Sequence, residues 1–73
     1  MSTVTKDINK VRNLKYGENT TLNWYDGGGG VVYRIEDELH LYSVPQYGGE
    51  ETLEAIYGID YVEDLVNLAH TWN

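Results

Sequence analysis

Cysteine is absent from the 73-residue chain, so neither a disulfide framework nor a thiolate zinc site can brace it, and nothing points to an oxidising compartment. Long apolar runs are also missing, which excludes a membrane-spanning helix. The opening residues Met1-Ser2-Thr3-Val4-Thr5-Lys6-Asp7 lack the apolar stretch of a signal peptide. The expectation is a soluble, cytoplasmic protein. Catalytic side chains are scarce: His40 and His70 are the only histidines and Ser2 and Ser43 the only serines, with no nucleophile elbow and no zinc-binding helix pattern. Two carboxylates can always be found in an acidic chain, yet a domain this small has little room for a cleft around them. These shortages point away from an enzyme and give no reason to expect a metal or a cofactor.

Bases are few as well. Five Lys and Arg stand against 12 Asp and Glu, for a net charge of -7. The imbalance is uneven along the chain. Residues 1–16 hold four bases (Lys6, Lys10, Arg12, Lys15) and the single acid Asp7, whereas from Gly17 onward eleven acids face one base, Arg34. An acidic body repels phosphate backbones and is drawn to basic protein surfaces, so direct nucleic-acid binding is disfavoured, and the short apolar runs give no reason to expect a membrane partner. The plainer account is that the acids solvate a small protein.

What is present organises the chain as one domain: a basic N-terminal segment over residues 1–16, a sheet over 20–57 and a helix over 60–72. Val4, Ile8, Val11 and Leu14 recur at helical spacing, with Thr3 or Thr5 as N-cap and Gly17 to end the segment, which predicts a short, fully or partly ordered helix over about 5–15. Its apolar stripe docks on the sheet, or else the segment is a mobile basic arm; docking is the favoured reading. Runs rich in β-branched and aromatic residues then predict strands over about 20–25, 31–35 and 39–44, joined by the cluster Asp26 to Gly30 and by Glu36-Asp37-Glu38. The glycines lead into Val31-Val32-Tyr33 and lack Gly-Lys-Ser/Thr, so a hairpin turn is favoured over a phosphate cradle. The three acids read as a solvated turn, since a calcium loop needs ligands at fixed positions over about twelve residues.

Alternation places Arg34, His40 and Tyr42 on one face of this meander and an aliphatic set on the other. Pro45 ends the third strand. Residues 51–57 fit either a helix or a strand, and a fourth strand at the sheet edge, centred on Leu53 to Tyr57, is the favoured reading. The closing helix takes Asp60 as N-cap and Glu63 as its capping-box partner. Val62, Leu65, Val66, Ala69 and Trp72 form its stripe, with Trp72 as a core plug. The fold class is therefore α+β: a small antiparallel meander of three to four strands, packed by a C-terminal helix.

Seven tyrosines and two tryptophans with no phenylalanine favour half-wet surfaces, because both keep a polar edge on an apolar body. Together with the acidity this suits a protein-binding module. The opening Met1 to Lys6, the loop Pro45-Gln46-Tyr47-Gly48-Gly49-Glu50 and the ending Ala69-His70-Thr71-Trp72-Asn73 give the whole chain a resemblance to the small transcription regulators of lytic phages that inhibit host RNA polymerase and act as antiterminators. The resemblance implies a monomer in the host cytoplasm that binds RNA polymerase near the N-terminus of its β′ subunit. The candidate contacts, chosen from side-chain chemistry, are Ile8, Val11, Arg12, Leu14, Tyr33, Arg34 and Tyr42. The alternative is an acidic nucleic-acid mimic that blocks a host defence nuclease, and a third reading is a homodimerising structural protein that pairs through a sheet edge.

Overall fold

The computed structural model describes residues 3–23, 28–45 and 49–71. Helix α1 (Thr3–Arg12) leads into four strands, β1 (Asn19–Asn23), β2 (Gly28–Ile35), β3 (Glu38–Pro45) and β4 (Thr52–Gly58). A 3-10 turn (Ile59–Tyr61) then passes into helix α2 (Val62–His70). The strands form one antiparallel sheet in the order β1-β2-β3-β4, so the meander and its fourth, edge strand are both present. Both helices lie on one face of that sheet.

The sequence pattern explains most of this layout. The stripe Val4, Ile8, Val11 of α1 and the stripe Val62, Leu65, Val66, Ala69 of α2 meet the inward side chains of the sheet, Leu22, Val32, Leu39 and Leu41. Each fully buried aliphatic side chain contributes about 1.5–3 kcal/mol relative to an exposed one, and these residues form a single core. Leu14, just past the end of α1, completes it. The N-terminal segment is thus docked, chiefly against α2 and β1.

Three expectations shift. First, α1 begins earlier and ends earlier than 5–15. The chain leaves it through Leu14 N–H donating to Val11 O, and Gly17, at φ 81°, serves a turn three residues further on whose amide donates to Arg34 O. Second, Gly28 to Gly30 belong to β2 and pair with Pro45, Val44 and Ser43, so they are strand and not turn. A Cβ on Gly29 would stand 3.1 Å from Leu22 O, which is why a side chain is poorly accommodated there. Trp24 to Gly27 lie outside the described residues, as do Gln46 to Gly48 and Trp72, for which a core role was expected.

Third, Asp60 caps nothing. It sits inside the 3-10 turn, Tyr61 occupies the N-cap of α2, and no side-chain cap bond forms. The helix start is held instead by the backbone, with Ile59 N–H donating to Asp37 O across to the β2–β3 turn, 3.1 Å.

Candidate protein-binding surface

Register decides what each face of the sheet presents. Ile35 pairs with Glu38, which leaves a two-residue turn of Glu36 and Asp37, with Glu36 at φ 54°. Arg34 then lies opposite Leu39, Val32 opposite Leu41 and Tyr33 opposite His40. Alternation along the sequence, with all three acids as turn, instead sets Arg34 beside His40 and Tyr42. A slip of one residue moves a strand's whole side-chain set to the opposite face, and here Tyr33 takes the place expected of Arg34.

The uncovered face is therefore built from Val31, Tyr33 and Ile35 on β2, His40 and Tyr42 on β3, and Leu53 and Ile56 on β4. Tyr33 and Tyr42 meet edge to face, ring centroids 5.3 Å apart at 83°. Such a pair adds about 0.5–1.5 kcal/mol beyond its buried area. Ile35, Leu53 and Ile56 are each about half exposed. Acids flank them. Tyr33 donates from its hydroxyl to both oxygens of Glu51 (3.1 and 3.0 Å), and His40 Nε2 lies 3.3 Å from Glu38 Oε1. Ser43, whose strand register turns it to the other face, donates to Glu54 at 2.7 Å. Glu51, whose carboxylate accepts a hydrogen bond from it, holds the Tyr33 hydroxyl above the ordinary tyrosine range, with desolvation and then the negative charge of Glu51 adding to the effect.

The helix-covered side gathers the bases. Lys10 donates to the carbonyl of Thr21 at the β1 edge, and Arg12 forms an exposed pair with Glu63, 3.5 Å. Arg34 is engaged throughout: Nη1 donates to Leu14 O (2.8 Å), Nε to Glu36 O (3.1 Å), and its guanidinium lies 4.7 Å above the Tyr16 ring. It pins residues 14–17 against the end of the sheet. A pocket of about 310 Å³ opens here between Arg12 and Arg34, floored by Val11, Leu39 and Val62 and bordered by Asp60.

The seven candidate contacts thus divide. Tyr33 and Tyr42 come together on the open face, Arg12 and Arg34 share the pocket on the other, and Val11 and Leu14 are core, with Ile8 packed half-buried against them. The sequence reading missed Leu53, Ile56, Glu51 and Glu38 as companions of the tyrosines. Their alternation was legible, but assigning it to a face needed the register and the β-bulge between Leu41 and Tyr42.

It also missed Asp7. This carboxylate is 2% exposed, and His70 of α2 donates to it from Nε2, 2.8 Å, which ties the two helices together. The signal was there: Asp7 stands on the stripe between Val4 and Val11, and His70 lies four residues after Val66.

Among the described residues no group of three or more His, Asp or Glu is placed to hold a metal ion, and no helix is long and apolar enough to cross a membrane. No family model, no curated protein and no solved structure matches this chain.

Proposed function

We propose that this protein is a non-catalytic phage regulator that binds bacterial RNA polymerase near the N-terminus of the β′ subunit, inhibits host transcription initiation and suppresses termination. The whole-chain resemblance suggests the target. The observation that carries the reading toward protein binding is the uncovered sheet face, where the Tyr33–Tyr42 pair and half-exposed Leu53 and Ile56 stand among carboxylates. Aromatic and aliphatic groups at the centre of a polar rim are what protein interfaces use.

A ligand shifts a conformational equilibrium by its differential affinity for the two states. One bound regulator that favours the elongating form over the promoter-recognising form produces both effects without any chemistry of its own. Capture on purified core polymerase tests the reading, followed by transcription from a host promoter through a terminator. Retention at moderate salt, fewer initiations and more read-through are expected; no retention sinks it.

The acidic-decoy alternative calls for carboxylates repeating like phosphates along one face. On the uncovered face the carboxylates of Glu38 and Glu51 are separated by tyrosine, leucine and isoleucine and do not repeat along a row. This arrangement favours the polymerase reading over the decoy.

A further inference from the structure

We infer that the uncovered sheet face, centred on Tyr33, Tyr42, Leu53 and Ile56, docks a basic, aliphatic-bearing segment of a partner protein. This deepens the polymerase reading and rests on it for the identity of the partner, though not for the chemistry of the contact.

The argument begins with segregation of charge. Lys6, Lys10 and Arg12 belong to α1, Lys15 follows it, and Arg34, the one base of the strands, turns to the helix side against Leu14 and Tyr16. No lysine or arginine stands on the uncovered face, while Glu38 and Glu51 do. A nucleic acid or an anionic lipid surface would meet only like charge there. A second copy laid face to face would oppose the same carboxylates. A cationic partner gains on both counts: guanidinium and ammonium groups pair with Glu38 and Glu51, and they also stack on tyrosine rings.

Shape and apolarity supply the second half. The outward face of an antiparallel sheet is ordinarily polar, yet Ile35, Leu53 and Ile56 are 47–49% exposed here, beside the Tyr33–Tyr42 pair. Their partner therefore needs aliphatic side chains between its bases. Among the described residues β4 pairs only with β3 and forms an edge of the sheet, the position at which an extended segment adds alongside.

The test compares charge-matched double variants on core polymerase. Leu53→Lys with Ile56→Lys places two bases on the face; Asn9→Lys with Asn67→Lys places two on the exposed sides of α1 and α2. Both should fold, as circular dichroism will verify, since all four positions are exposed. The first pair should weaken binding about tenfold or more and the second leave it within about twofold. Equal binding by a folded Leu53→Lys/Ile56→Lys protein overturns the inference and leaves the polymerase reading standing.

Should the wild-type chain ignore polymerase, that reading falls and amide-shift mapping decides the face instead. A synthetic peptide alternating lysine and isoleucine should shift the amides of Tyr33, Tyr42, Leu53 and Ile56, and a glutamate–isoleucine counterpart should not. Shifts confined to α1 and α2, or none, overturn the inference, as does a wild-type dimer that Leu53→Lys/Ile56→Lys dissolves.

Discussion

The two faces of this sheet carry the same strands and opposite demands. On the covered face Leu22, Val32, Leu39 and Leu41 are sealed by two helices, and even the charged Arg34 there directs its donors to backbone carbonyls and its guanidinium to a tyrosine ring. On the uncovered face Tyr33, Tyr42, Leu53 and Ile56 retain exposure, and hydrogen bonds run outward to carboxylates. One face holds the molecule together; the other is spare surface of a kind that solvent alone does not require. In a domain that buries only about 60% of its unfolded surface, leaving aliphatic side chains half exposed forgoes stability, and binding is the natural return.

That contrast can be broken by truncation. Leu41→Ala, a fully buried change, should cost about 3 kcal/mol, while Ile56→Ala across the sheet should cost under about 1 kcal/mol; urea unfolding measures both. Similar losses at the two sites would mean that the faces are not unequal. Next in size is Asp7→Ala, which strips His70 of its carboxylate at the joint between the helices. A loss of about 2–3 kcal/mol is expected, read as a fall in melting temperature of roughly 10 °C or more. A smaller step, Gly29→Ala, crowds the carbonyl of Leu22 and should cost about 1–2 kcal/mol by the same unfolding measurement.

The smallest effect sharpens the electrostatics of the open face. Because Glu51 raises the Tyr33 hydroxyl, the folded state holds that proton more tightly than the unfolded chain. This contribution is fully present below the ordinary tyrosine range and is lost as pH rises through the folded value. In an ultraviolet titration one tyrosine should therefore ionise late, and Glu51→Gln should bring it back toward the ordinary range. Were the late ionisation to persist in that variant, the Glu51 contact would not be its cause.

The register at the β2–β3 turn is a place where local sequence does not specify the structure. Val31 to Ile35 and Leu39 to Val44 are visibly strands, and the alternation within each is plain. Whether the turn consumes two residues or three is not written in Glu36-Asp37-Glu38, all of which suit solvent. The two-residue answer sends Arg34 inward to Leu14 and Tyr16 and brings Tyr33 out to Glu51. Asp60 illustrates the same limit at a helix end. Its spacing to Glu63 matches a capping box, but the bond from Ile59 N–H to Asp37 O draws the chain into a 3-10 turn first.

Local sequence was enough to determine the helical stripes, the meander and the divide between a basic opening segment and an acidic body, because side-chain periodicity and charge are properties of neighbours along the chain. Tertiary structure alone decided which face was sealed, that Asp7 would be buried against His70, and that two tyrosines, a leucine and an isoleucine would share an acidic surface. Those outcomes depend on which residues pair across strands and between helices, up to 63 positions apart, and short-range propensity does not specify the partners.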